Sequence, residues 1–307
     1  MTHATAHPTE IRAMHIYAKL VLVAAMWGGT FVAGRTLVSE VEPIFAALAR
    51  FGLASVFLVG LTWSLEDGLP RLRPSQLLLT MGLGATGVAF YNVFFFAALS
   101  HMSASQTAVF VAFNPMSVAV LMAAFGRERL TRSRAAGFCI ALVGAVVVIR
   151  GGDMHAPQDS PASSLGVGEL LISAAVLSWV GYTLLGRRTV SDLSPLATTT
   201  YAALWGTVFL FFLALLDGTW STSFAISWEG ASALIYLAIF GTVLPFVWYC
   251  QGLQTIGASR TAVFTNLVPL FGVIFGVLVL QEPMTLGLCI GGLLVALGVV
   301  LTNTPQN

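Results

Sequence analysis

The chain has 307 residues, a net charge of +1, 57% hydrophobic and only 9% charged residues, and a mean hydropathy of +0.88. Too little polar surface remains to cover a core in water, so the composition excludes a soluble globular protein and predicts a polytopic membrane protein. The near-neutral balance offers no basic face for nucleic acid.

Apolar stretches of about 20 residues, the length an α-helix needs to cross hydrocarbon, recur along the whole chain. A polar tail over 1–16 precedes them; it is not read as a cleavable signal, because the first apolar run is a full span followed by nine more. Helices are predicted over residues 17–37, 44–63, 76–99, 106–125, 133–149, 165–186, 195–216, 229–251, 261–280 and 285–302. Helix 1 carries Trp27 and Thr30. Helix 2 carries Arg50 seven residues in, where an arginine is costly unless it snorkels. The expected route is outward, toward Glu42 or Glu40; the alternative is a gate, or a seat for a substrate carboxylate. Helix 3 carries FYNVFFF at 90–96, in which Tyr91 and Phe95 are four apart and share a face. Helix 4 holds Asn114 just before Pro115. Residues 151–164, rich in Pro, Ser and Asp, form a linker. Helix 6 holds Trp179 and Tyr182, helix 8 holds Trp248, Tyr249 and Gln251, and helix 9 holds Asn266 near Pro269.

The two halves of this list repeat one another. Ala104 to Gly144 aligns with Ala258 to Gly298 at a constant offset of 154 with eleven identities, where chance gives roughly four. At an offset of 152, WGGTFVAGRTLVSEVEP from Trp27 matches WVGYTLLGRRTVSDLSP from Trp179. The predicted organisation is a tail over 1–16, a five-helix repeat over 17–150, the linker 151–164, a second five-helix repeat over 165–302, and a tail over 303–307.

Arginine and lysine accumulate on the cytoplasmic side of short connections. With the N-terminus inside, the inner connections hold Arg12, Lys19, Arg71, Arg73, Arg127, Arg129, Arg132, Arg134, Arg187, Arg188 and Arg260, and the outer ones only Arg35 and Arg150. Both termini are therefore expected in the cytoplasm. Five crossings are an odd number, so the second repeat enters upside down. Halves related by a two-fold axis in the membrane plane suit alternating access, with a site near the midplane where they meet.

The W-G-x-x-F at Trp27–Phe31, the ASxxxxF…P runs from Ala104 and Ala258, and the E-x-x-T from Glu128 and Glu282 resemble the EamA family of the drug/metabolite transporter superfamily, in the manner of YddG-type bacterial amino-acid exporters. The resemblance covers nearly the whole chain. It implies an all-α polytopic membrane protein of ten helices as 5+5 inverted repeats, with a cavity lined by helices 1, 3, 4, 6, 8 and 9 and with helices 5 and 10 at the periphery.

Substrate-cavity candidates are Trp27, Thr30, Tyr91, Asn92, Phe95, Asn114, Trp179, Tyr182, Trp248, Tyr249, Gln251 and Asn266, with Arg50 as a possible gate. Tyrosine hydroxyls and amides inside a membrane need a partner, which a neighbouring helix or an aqueous cavity supplies. Packing against lipid or neighbours is the competing account of the rings, and interhelical hydrogen bonding that of the amides. Apart from Arg50 no Asp, Glu, Lys, Arg or His lies deep in a span. A proton relay is therefore not expected, unless Glu169 or Glu229 at a helix end supplies one. No phosphate loop, metal-ligand set or catalytic constellation is present, and Cys139, Cys250 and Cys289 fall in separate spans. No cofactor and no enzymatic activity are expected. The reading is an inner-membrane exporter of small metabolites, amino acids including aromatic ones, acting as a facilitator or exchanger in contact with membrane lipid, as a monomer or homodimer. The alternatives are a sugar-phosphate, nucleotide-sugar or drug exchanger, a proton-coupled antiporter, or a channel.

Overall fold

The computed structural model describes residues 8–124, 132–151, 166–189, 193–218 and 226–303, and every regular element among them is helical. α1 (Pro8–Val38) starts nine residues before position 17, so most of the expected tail continues the first helix. α2 (Pro43–Glu66) begins on a proline, whose fixed φ suits a first turn, and ends at Asp67, with a left-handed φ of 56°. α3 (Pro74–Leu83) and α4 (Tyr91–His101) are joined by a π segment, Gly84–Phe90, into one span. α5 (Ala104–Val111) and α6 (Asn114–Ala124) follow, then α7 (Arg132–Gly151), α8 (Val167–Thr189) and α9 (Pro195–Asp217). α10 (Trp228–Ala238) and α11 (Leu244–Ile256) flank a second π segment, Ile239–Val243. α12 (Ala258–Val263) runs through a 3-10 turn, Phe264–Leu267, into α13 (Val268–Val279), and α14 (Leu286–Asn303) ends the described chain.

The expectation of ten spans meets seven helical stretches long and apolar enough to cross a membrane, two shorter apolar helices at Ala135–Val148 and Leu286–Leu301, and a fourth span divided into α5 and α6. Proline causes the division. Pro115 has no N–H to give the carbonyl of Val111, and the chain tightens there through Ala112 N–H to Val109 O (3.2 Å) and Phe113 N–H to Phe110 O (3.0 Å). Pro269 stands in the same relation to Thr265, beside the 3-10 turn. The irregular stretches recur at the offset of the sequence repeat: the two π segments between α3 and α4 and between α10 and α11, the two tight turns between α5 and α6 and between α12 and α13. Gly151, the first residue of the expected linker, ends α7, as Arg132 and Arg134 begin it; residues 152–164 and Arg127, Glu128 and Arg129 lie outside the described residues.

Lipid is as apolar as a helix face, so close approach of small residues and buried hydroxyl pairs hold such helices together. α2 and α9 join through Thr62 and Thr200 (2.8 Å) and through Ser55 and Thr207 (3.1 Å), the latter two being equivalent positions at the offset of 152. α7 and α14 meet at four glycines that are also matched by the repeat. A Cβ on Gly144 would stand 2.7 Å from the carbonyl oxygen of Gly291, and one on Gly298 would stand 2.4 Å from that of Gly137. Gly137 matches Gly291 and Gly144 matches Gly298, so each contact is the image of the other, the reciprocity of an isologous interface.

Candidate functional site

Arg50 lies at the centre of the helical array and is 7% exposed. Its Nε donates to Thr242 Oγ1 (3.2 Å), its Nη1 to Asn92 Oδ1 (3.1 Å) and its Nη2 to the carbonyl of Gly241 (3.2 Å). Asn92 in turn donates to the carbonyl of Val88 (2.8 Å) in the first π segment, and Thr242 donates to that of Leu237 (3.0 Å). A π turn leaves carbonyls without their usual i+4 donors, and here side chains take them up. One guanidinium thus ties the π segments of both halves. Its flanks are apolar, with the Phe51 ring 5.1 Å and the Phe96 ring 6.0 Å from Cζ. The expected snorkelling toward Glu40 or Glu42 does not occur, because neutral acceptors from α4 and the second π segment reach the guanidinium first. Glu40 is engaged elsewhere.

Around this centre stand two aromatic groups. Trp27 packs on Tyr249 (centroids 5.5 Å apart) and Phe246 (5.9 Å). Trp179, equivalent to Trp27, packs on Tyr182 (5.0 Å) and Tyr91 (5.2 Å), and Tyr91 stacks on Phe95 (5.8 Å). Tyr182 lies over Gly87, where a Cβ would come within 2.2 Å of its ring, so only glycine admits the tyrosine. Tyr182 and Tyr249 lie within electrostatic reach of one another, as do Tyr91 and Arg50. The hydroxyls of Tyr91, Tyr182 and Tyr249 make no hydrogen bond with the described residues. Between α1, Tyr249 and Phe264 a cleft holds about 140 Å³ of empty space, too narrow for a water molecule. Within each group the rings pack directly on one another.

The other expected residues divide. Phe95, 2% exposed, is wedged between Phe31 (5.4 Å) and Phe96 (5.5 Å) and belongs to the packed interior. Thr30 donates to the carbonyl of Trp27 (2.6 Å) and sets its methyl against Gly241. Trp248 and Gln251 gather instead around Lys19, whose Nζ donates to Gln251 Oε1 (2.8 Å) and lies 5.7 Å from the Trp248 ring centre. Asn92 takes the interhelical role that was one of its two expectations. Asn114, 9% exposed, keeps its Oδ1 without a partner among the described residues, at the break between α5 and α6. Asn266 sits half-buried in the 3-10 turn.

At one end of the array, acidic side chains cap helices of the opposite half. Glu282 accepts the backbone N–H groups of Ala104 (2.6 Å) and Ser105 (2.9 Å), at the start of α5. Glu40 accepts from Ser227 N (2.8 Å) and Oγ (2.6 Å) at the start of α10, and these donors hold its carboxyl below the usual range. Arg35 at the end of α1 donates to the carbonyl of Leu99. Glu229 is exposed in the first turn of α10, and Glu169 half-buried in that of α8.

Sequence reasoning missed Gly241 and Thr242 as partners of Arg50. Its available signal was that Gly87 and Gly241 match at the 154 offset just ahead of the aromatic runs. It also missed Tyr236, whose hydroxyl donates to the carbonyl of Met26 (3.0 Å) over Gly29.

The profile of the EamA-like transporter family matches residues 15–150 and 166–304. A Bacillus subtilis (strain 168) protein named as the uncharacterized transporter YyaM is 31% identical over 94% of both chains. A probable terminal-alkyne amino-acid exporter of Streptantibioticus cattleyicolor is 29% identical over 92% of both. An S-adenosylmethionine/S-adenosylhomocysteine transporter of Chlamydia trachomatis is 28% identical over 88% of this chain and 83% of its own. A solved crystal structure shares the fold with a TM-score of 0.65 at 17% identity, covering 94% of this chain and 97% of that one.

Proposed function

The chain belongs to the EamA-like transporter family of the drug/metabolite transporter superfamily, a multi-span membrane transporter of small molecules, and on that premise we propose that it exports amino acids, aromatic ones among them. The observation that carries this reading is the pair of aromatic groups, Trp27 with Tyr249 and Trp179 with Tyr91 and Tyr182, together with the buried polar cluster around Arg50. Rings offer a flat apolar side chain large contact area, and Tyr91, within electrostatic reach of Arg50, brings a hydroxyl toward its polar end. Likeness to a relative named as an amino-acid exporter points the same way.

Transport proceeds by alternating access of two inverted five-helix repeats. The offset-matched π segments, the Ser55–Thr207 pair and the reciprocal glycine contacts of α7 and α14 support that symmetry. With both termini cytoplasmic, Glu40 and Glu282 lie at the outer end and close it, in a bacterial inner membrane. Among the described residues no carboxylate or histidine lies deep in a span. The driving force is therefore the substrate gradient itself.

Counterflow in proteoliposomes tests the substrate. Phenylalanine, tryptophan and small neutral amino acids should exchange with a preloaded labelled amino acid without a proton or sodium gradient. Exchange confined to S-adenosylmethionine or to sugar phosphates would reassign the substrate, and accumulation driven by imposed pH would reassign the energy source. For orientation, on a background without the three native cysteines, Gln281→Cys should react with an impermeant thiol reagent in intact cells and Gly68→Cys should not.

A further inference from the structure

We infer that Arg50 receives the anionic group of the transported solute, so that the centre between the π segments takes carboxylate-bearing small molecules and the solute supplies Arg50 with its counter-ion. The inference rests on the export reading for the presence of a solute there, and it names what that solute must carry.

Three observations lead to it. Arg50 is a permanent cation, 7% exposed, yet the atoms it bonds are the hydroxyl of Thr242, the amide oxygen of Asn92 and the carbonyl of Gly241, all neutral. No carboxylate among the described residues pairs with it. Neutral acceptors orient a guanidinium, but they do not neutralise it, and a buried charge is stable only when paired. Second, a guanidinium has five N–H groups and these partners use three, leaving one on Nη1 and one on Nη2 among the described residues. Two N–H groups on one planar fork suit the two oxygens of a carboxylate. Third, the placement is that of a receptor between halves. Arg50 comes from α2, its partners from α4 and the second π segment, and Thr30 of α1 touches Gly241 beside it. Tyr91 lies within electrostatic reach and also contacts Trp179 in the aromatic group. A carboxylate at Arg50 would thus have its side chain beside an aromatic wall. One arginine matches a monoanion; a phosphate ester would call for a second cation, and none is bonded to this cluster among the described residues.

Asn92 supplies a control that leaves Arg50 in place. Asn92→Asp puts a carboxylate where the amide oxygen now accepts from Nη1, giving Arg50 an internal counter-ion of nearly the same shape. Purified wild type, Arg50→Lys, Arg50→Gln and Asn92→Asp would be titrated with phenylalanine, 3-phenylpropionate, phenylalaninamide, phenethylamine and glucose 6-phosphate. Binding is read as the rise in melting temperature in nanodiscs, and transport as counterflow. Wild type should favour the two carboxylates over amide and amine by tenfold or more. Arg50→Gln and Asn92→Asp should reduce that ratio to about twofold or less, and Arg50→Lys should retain part of it, since an ammonium keeps the charge and loses the fork.

A tenfold preference persisting in folded Asn92→Asp and Arg50→Lys overturns the inference even if Arg50→Gln fails to fold. So does equal binding of phenylalanine and its amide by wild type, preference for glucose 6-phosphate, or the absence of any shift with either carboxylate. Binding of 3-phenylpropionate that depends on Arg50, without binding of phenylalanine, leaves the inference standing and removes the amino-acid reading. Exchange of phenylalanine indifferent to every Arg50 variant does the reverse.

Discussion

The seam between α7 and α14 and the centre around Arg50 treat the same duplication in opposite ways. At the seam the glycines at 137, 144, 291 and 298 are retained in both copies, and each contact has its image. At the centre nothing polar is retained: at the repeat offsets Arg50 corresponds to Ala202, Asn92 to Phe246 and Thr242 to Val88. Backbone-to-backbone packing serves both halves equally, so it constrains both. A binding site needs its charge once, and a second buried arginine at the pseudo-equivalent place would repel the first. On the proposed reading, the symmetric parts of this molecule serve its mechanics and the asymmetric part its chemistry.

Steric change at the seam should have the largest effect. Gly144→Leu places its side chain against the Gly291 backbone, which cannot yield without parting the helices, and should destabilise the protein by about 3 kcal/mol or more. Gly298→Leu, its image against the Gly137 backbone, should do the same. A fall in melting temperature for one and not the other would break the symmetry argument. Next comes Asn92→Leu, which removes an acceptor from a buried cation and leaves π-segment carbonyls unpartnered, at a cost of about 2–3 kcal/mol. At the equivalent position of the other half, Phe246→Leu should cost about 1 kcal/mol, as ordinary repacking. Equal losses of melting temperature for these two variants would remove the contrast between a polar centre and its apolar counterpart.

Smaller again are the aromatic truncations. Tyr91→Ala and Tyr249→Ala each remove ring contact worth about 1 kcal/mol, which should lower counterflow of a large aromatic substrate by roughly fivefold and that of a small one less. Equal loss for both sizes, with reduced folded protein, would assign these rings to packing. The smallest effect belongs to Glu40. Ser227 lowers its folded pKa from the ordinary 4.5, so the cap contributes stability above the unfolded value and loses it as pH falls through the folded one. The melting-temperature difference between wild type and Glu40→Gln should be constant from about pH 6 to 8 and vanish in acid. A difference that grew on acidification would reverse the assignment.

Sequence made the spans and the repeat legible because both are written in composition: hydropathy marks a helix that must face lipid, and matched glycines and prolines mark packing and breaks. Trp27, Trp179, Tyr182 and Tyr249 were legible as aromatic candidates through their matched places, and Tyr91 through the helix face it shares with Phe95. The partners of Arg50 were not, since Thr242 and Gly241 lie 192 and 191 residues away and no local period connects them. Nor does any pattern of side chains announce a π segment, which exists only in the backbone. Lys19 looked like a simple edge charge; only the fold brings Gln251 and Trp248 to it.

The π segments also set which way the aromatic rings look. An α-helix turns by about 100° per residue, so one additional residue in a wide turn displaces every side chain beyond it by that angle around the axis. Tyr91 follows directly on the first π segment, and Phe246 and Tyr249 come soon after the second. Were either wide turn to relax into regular α-helix, its ring or rings would swing from one face of their helix to another while the helix stayed where it is. The two irregular turns held by a single guanidinium therefore act as the clock hands of the interior: the face that each of these rings occupies is fixed by one hydrogen-bond register, and loosening that register turns the rings without moving a single span.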